Sequence, residues 1–356
     1  SAAQSLAGNE RFVTIARGGH DVCFWMNYGN LLSDVTHGVS LAVNGVTLSP
    51  AVWKDAALAA GANFRKGQII SEINYYLPAK IEEGTTDFGI ASTDADMLDR
   101  LPGDDVDMLM TTHISPAGIK TILEKVGLLG PANVGLTAKG MDVDGVLDAF
   151  TGDMAVAIRG FGITAETQTD MFMGELVQHK KQHATMNLTY VLKIKNYDNF
   201  KLLLQKTAAQ QMVKVGEEYQ FPLTTRDTLF LLPDKQYAVF SNHHPTAKGV
   251  LAGTFSSGAL PADARDNAYN YPFSFFLNVQ QMLGKVQPSI SSSVRDSAIL
   301  AESKKLIDNV AFYGGDFTEK AYHFKFEINF LEKDENSILE LIDFGMRVND
   351  LVATPH

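Results

Sequence analysis

The sequence has a single cysteine, Cys23, among 356 residues. An intramolecular disulfide and a cysteine-based zinc site are therefore excluded. No stretch approaches the roughly 18 uninterrupted apolar residues of a membrane-spanning helix. Dense Lys/Arg runs are missing, and 30 basic against 41 acidic side chains give a net charge of −11. Nucleic acid is disfavoured as a partner, because phosphate neutralisation drives that affinity. No segment is extensive enough to count as low-complexity. Residues 1–10, SAAQSLAGNE, have neither the basic nor the apolar region of a signal peptide, and no initiator Met. The chain reads as a processed form whose targeting segment, if there was one, has been removed.

What is present belongs to a folded protein: 45% apolar and 20% charged residues over a length that suits two domains or one large one. The clearest strand is Ala321 to Leu331, where Tyr322, Phe324, Phe326, Ile328 and Phe330 alternate with polar residues. One-sided strands of this kind belong to antiparallel sheets. Leu188, Tyr190, Leu192 and Ile194 repeat the pattern, and Thr228–Leu232 with Gln236–Ser241 reads as a hairpin across Pro233-Asp234-Lys235. Ser115-Pro116 is a helix start with Ile119, Ile122, Leu123 and Val126 on one face and Gly127 as its stop. Asn336 to Asn349 reads as a last helix with Ile338, Leu341, Ile342 and Met346 inward.

A strand running into Asn and then into an apolar-periodic segment recurs at Asn27, Asn196 and Asn278, with a capped counterpart at Met108–Pro116. Self-similarity of this kind suggests about four units of roughly 84 residues. The expected fold is α+β: antiparallel sheets with amphipathic helices, in two similar halves built from about four degenerate strand–helix–strand units. The halves are 1–165 and 175–356, with 166–174 as a linker. Gly253 to Pro272 reads as a long surface loop, and Ser291–Ser293 as a flexible point.

Candidate chemistry is sparse. Gly160, Gly162 and Ala165 fit G-x-G-x-x-A after an apolar run, yet Glu166–Asp170 is a poor helix start, so this reads as a loop rather than a dinucleotide cradle. Asp94, Asp96, Asp99, Asp104, Asp105 and Asp107 form the densest acidic region and could offer oxygens to a hard cation, without the ligand spacing of an EF-hand. Asp142, Asp144 and Asp148 are blander, and Asp142 suits a helix N-terminus. His179 and His183 would share a helix face, but Lys180 and Lys181 between them oppose a cation. His243-His244-Pro245 reads as a turn, while His20 and His113 show no partner. Cys23, in an apolar strand, reads as inert packing, and Trp25 and Trp53 as core. No residue is assigned a catalytic, cofactor-binding or metal-binding role.

The strand–Asn–helix segments, Val146–Asp153, Asp334–Leu341, the hairpin Leu229–Phe240 and Phe312-Tyr313-Gly314-Gly315-Asp316 together resemble a family of predicted lipoproteins of Bacteroides and relatives, a domain-of-unknown-function family. That resemblance implies a cell-envelope protein, periplasmic or outer-membrane-anchored, with a lipidated cysteine upstream of residue 1. It transfers no catalytic residue. The reading that follows is a non-catalytic envelope protein that binds a protein partner or a glycan. The alternative is a hydrolase, metal-assisted through residues 94–107, and a third reading is a purely structural spacer.

Overall fold

The computed structural model describes residues 6–31, 42–43, 46–47, 53, 55–78, 81, 92–172, 175–207, 212–223, 228–256, 258, 260–286 and 294–353. For residues 42–43, 46–47, 164–166, 168, 170, 172, 175 and 177–183 the description covers the backbone alone. Ser291–Ser293 lie outside the described residues.

The chain begins with α1 (Glu10–Ala16) and β1 (Val22–Met26), a small ribbon of β2 (Ala42–Val43) and β3 (Val46–Thr47), and the hairpin β4 (Ala57–Arg65) and β5 (Gln68–Tyr76). Then come α2 (Ala95–Asp99), β6 (Val106–His113), α3 (Pro116–Lys125), α4 (Leu129–Thr137) and α5 (Val143–Asp148). A long hairpin follows, β7 (Phe150–Phe172) and β8 (Glu175–Ile194), and after it α6 (Tyr197–Thr207). Next are β9 (Val213–Val215), β10 (Glu218–Pro222), β11 (Thr228–Pro233), β12 (Tyr237–Ser241), α7 (His244–Ala252) and α8 (Ala262–Asn270). The last elements are β13 (Phe273–Leu277), α9 (Val279–Lys285), α10 (Val294–Ser303), the hairpin β14 (Ile307–Thr318) and β15 (Ala321–Phe330), and α11 (Ser337–Ala353).

Thirteen of these strands form one open antiparallel sheet in the order β1-β4-β5-β15-β14-β13-β6-β7-β8-β12-β11-β10-β9. This corrects the expected α+β arrangement of two similar halves with separate sheets. The C-terminal strands β13–β15 insert between β5 and β6, so the strands of residues 1–165 are split by strands made last. Residues 166–172, expected to open a linker, belong to β7. The recurring Asn has a local cause. Asn27, Asn196 and Asn278 accept hydrogen bonds from the amides of Asn30, Asn199 and Gln281 at 2.9 to 3.2 Å, and Ser115 does the same for Gly118. Each caps a helical turn directly after a strand, which is what these side chains do at any such junction.

One face of the sheet is buried where β13, β6, β7, β8 and β12 lie side by side. Phe276, Leu109 and Ala157 form one cross-strand row and Ala155, Val191 and Val239 another, and both pack against Met97 and Leu98 of α2, Ala247 and Val250 of α7, and Ala264 and Ala268 of α8. The segment expected as a surface loop from Gly253 to Pro272 therefore holds a core helix, α8. The opposite face is covered at its ends. Ile122 and Val126 of α3 sit on Tyr75 and Tyr322, and Phe344 of α11 sits on Phe64 and Ile328. Between them, Met110, Val156, Phe312 and Phe326 remain half-buried.

Among the described residues, neither strand has a ladder neighbour on its outer side beyond Arg159 on β7 and before Thr189 on β8, where one bridge joins Ile163 to Val286. This two-stranded ribbon extends about 44 Å at roughly 3.4 Å per residue. Met171 and Leu176 face each other at its tip, 75% and 73% exposed.

α11 inverts its expected orientation. Ile338, Leu341, Ile342 and Met346 are exposed, whereas Ser337 and Glu340 are buried. Burial, and the nearby charges of Glu332 and Glu335, push the Glu340 carboxyl above the ordinary glutamate value, and its Oε2 has no hydrogen-bond partner. A carboxyl raised in the folded state disfavours folding once ionised, so its cost grows as pH rises from the unfolded value through the folded one. Glu340→Gln is therefore expected to raise the unfolding midpoint at pH 7.5 and leave it nearly unchanged at pH 4, measured by thermal denaturation. An equal effect at both pH values refutes this account of Glu340.

Candidate functional site

The acidic region 94–107 is neutralised by side chains from distant parts of the chain. Asp94 caps α2 through the Met97 amide and pairs with Lys193. Asp99 accepts from the Tyr269 hydroxyl, and Asp104 pairs with Arg159 at 3.1 Å. Asp107 is 0% exposed and accepts from the Phe161 amide at 2.6 Å, from Gln281 at 2.8 Å and from Lys285 at 2.8 Å, while Lys285 also reaches Asp105 at 2.7 Å. Burial alone would lower the Lys285 ammonium; the hydrogen bonds to Asp105 and Asp107 outweigh it and hold the group above the ordinary lysine value. Among the described residues, no group of three or more His, Cys, Asp or Glu side chains is placed to hold a metal ion. Asp94, Asp99, Asp104, Asp105 and Asp107 are each engaged within the protein, and Asp96 lies in the first turn of α2.

The remaining candidates fall apart in similar ways. Gly160 and Gly162 sit at a register shift in β7 with no helix after them, so no phosphate cradle forms. His179 and His183 lie in β8, not in a helix. Asp142 caps α5 by accepting from the Gly145 amide. His243 contacts Thr246, and His244 contacts Glu218 at 2.7 Å as the first residue of α7, where a turn was expected. Cys23, half-buried in β1, points its Sγ at the Ile15 carbonyl. Trp25 packs on Phe12 and Tyr76, and Trp53 is half-buried.

His20 and His113, without evident partners in the sequence, both have them. His20 meets Asn63 at 3.0 Å. His113 Nδ1 meets Asp153 Oδ1 at 2.9 Å, and Thr151 donates to the other oxygen at 2.7 Å. Burial pushes the Asp153 carboxyl up, but hydrogen bonds from His113 and Thr151 prevail and hold it below the usual aspartate value.

The most suggestive constellation is a groove of about 300 Å³ across β5, β15 and β14. It is lined by Glu72 and Asn74 of β5, His323 and Lys325 of β15, Asp316 of β14, and the pair Tyr271 and Tyr313. Cross-strand register brings these together: Lys325 lies opposite Glu72 and Tyr313, and His323 lies opposite Asn74. Between Gly314 and Asp316 the β14–β15 register slips by one residue. Both glycines there have positive φ, and a Cβ on Gly314 would stand 2.2 Å from the His323 carbonyl oxygen. The bulge turns Asp316 outward and opens the groove, a use of irregularity common beside binding sites.

Tyr271 and Tyr313 approach with ring centroids 4.8 Å apart at 45°. Tyr313 donates to Glu327 at 2.7 Å, and Gln68 donates to the second Glu327 oxygen at 3.3 Å. Burial, reinforced by the Glu327 carboxylate, holds the Tyr313 phenol well above the ordinary tyrosine value, so it stays a neutral donor. The His323 ring contacts the Asn74 side-chain oxygen at 2.8 Å and the Thr318 carbonyl at 3.0 Å, which fixes its orientation. Glu72 and Asp316 are exposed. The groove thus places Tyr271, backed by the buried Tyr313, beside carboxylate, amide and ammonium groups. Sequence reasoning missed it. The available signal was Gly314-Gly315 inside an otherwise alternating strand, which marks a bulge.

No family model, curated protein or solved structure matches the chain.

Asp107 supplies a stability test. Lys285→Met leaves a fully buried carboxylate without its counter-charge and should cost about 3–5 kcal/mol in urea unfolding. Adding Asp107→Asn should restore a large part of that loss. Equal stability of wild type and Lys285→Met would show that the pair contributes nothing.

Proposed function

We propose that this protein is a non-catalytic binding protein that recognises a carbohydrate in the β5–β15–β14 groove. The observation that carries the reading is the Tyr271–Tyr313 pair beside Glu72, Asn74, Asp316 and Lys325. Tyrosine offers an apolar ring face and a polar edge in one rigid side chain, which suits the alternating C–H and O–H surfaces of a sugar. Carboxylates and amides accept from hydroxyls and a lysine donates to them. Placement in the cell envelope rests on the resemblance to the lipoprotein family, as does a lipid anchor upstream of residue 1. A hydrolase working through residues 94–107 is poorly supported, because most of those carboxylates are engaged by Lys193, Tyr269, Arg159 or Lys285.

The test is titration calorimetry with a panel of oligosaccharides on folded wild type, Tyr271→Ala and Asp316→Asn. At least one glycan should bind, and each substitution should weaken it about tenfold or more, since 1.4 kcal/mol corresponds to tenfold. Glycan binding insensitive to both substitutions rejects the groove. Turnover of the glycan, lost in Asp316→Asn, rejects the non-catalytic reading.

A further inference from the structure

A second concave region lies on the other side of the molecule, between α3, α5 and the β7–β8 hairpin, and it is independent of the tyrosine groove. It has two contiguous parts. The inner part is a cavity of about 300 Å³ walled by Ile119, Leu147, Phe150, Met154, Tyr190 and Leu192. Its walls are half-buried, so it is an apolar recess open on one side rather than a void in the interior. Gly152, with φ +104, lets β7 pass so close to the start of α3 that a Cβ would lie 2.2 Å from the Ile114 carbonyl oxygen.

Asp153 also lines it, and Tyr190 brings a hydroxyl. The Tyr190 hydroxyl donates only to the Met154 thioether at 3.1 Å, a weak acceptor that leaves most of its hydrogen-bonding capacity unused.

The outer part, of about 560 Å³, shares Pro116 and Leu147 with the cavity and is open to solvent. Charges of both signs ring it. Lys120 pairs with Asp144, and Lys195 with Asp148, each at 2.7 Å, while Asn199 donates to Asp148 at 3.1 Å. The Asp148 carboxyl is held below the usual aspartate value chiefly by the Lys195 and Asn196 hydrogen bonds. A mouth with two ammonium groups and several carboxylates complements a zwitterion rather than a single charge.

We infer that this two-part site binds an aromatic amino acid, with its side chain in the cavity and its ammonium and carboxylate groups at the charged mouth. The size of the cavity fits an indole or phenyl ring. It is too small for a long acyl chain, and the mixed mouth does not favour a simple anion. Tyr190 meets the polar edge of an indole or phenol.

The experiment is calorimetry on the whole chain with L-tryptophan, L-phenylalanine, indole, octanoate and glycine. L-Tryptophan and L-phenylalanine should bind, with indole and octanoate about tenfold weaker or worse and glycine not at all, since a charged hydrogen bond is worth roughly that factor. Lys195→Ala should weaken L-tryptophan about tenfold and leave indole unchanged. Leu192→Trp, which fills the cavity, should abolish binding of both; if it fails to fold by circular dichroism, Leu147→Phe serves the same end at the mouth. Equal binding of indole, octanoate and L-tryptophan overturns the zwitterion assignment. No binding of any probe at about 10 mM overturns the site altogether.

Discussion

The structure hangs on the seam where β13 meets β6. Leu277 lies opposite Met108 and Phe273 opposite Thr112, so the last-made strands are hydrogen-bonded to the middle of the chain through that short ladder. Asp107 fastens the seam. Its backbone carbonyl accepts from Asn278, and its carboxylate accepts from β7 and from two side chains of α9. Three elements that meet nowhere else in sequence are thus held to one buried charge. Without the seam, thirteen strands would be two unrelated sheets, each with a newly exposed edge that invites non-native pairing.

Placing strands in a single sheet gives the two faces different duties. The face under α2, α7 and α8 is conventional core, filled by small and aliphatic side chains. The opposite face is covered in patches by α3, α6 and α11, and the concave regions described above form where loops, bulges and helices leave strands uncovered. Both candidate sites depend on a glycine that permits backbone to approach backbone: Gly314 beside His323, and Gly152 beside Ile114. Rigid strands supply the remaining side chains at fixed spacing, which is how a binding constellation gains precision without a dedicated domain.

Local features were legible in the sequence because their causes are local. Ala321–Phe330 alternates with period two and is a strand; Ser115-Pro116 caps and opens α3; the Asp234 side chain accepts from the Gln236 and Tyr237 amides in the expected hairpin turn. Strand order was not legible, since nothing near β5 announces that β15 will be its neighbour. The helix α8 was hidden by Asp, Asn and Ala residues whose composition resembles a loop. The α11 periodicity was correctly helical, but periodicity does not say which side a helix turns to the sheet, and Glu340 rather than Ile342 faces inward. The tyrosine groove draws on three strands and the turn before β13, so only its glycine pair left a trace in one continuous segment.

The ladder between β5 and β15 also has a meaning in time. Asn74 and His323, which touch across it, are separated by 249 residues. At the ~5–20 residues per second of ribosomal synthesis, one edge of the β4–β5 hairpin waits roughly 12–50 seconds for its partner. For that interval it is an unpaired strand edge in a crowded solution. The molecule cannot close its central sheet as it emerges. The central sheet therefore closes only after β15 has been made.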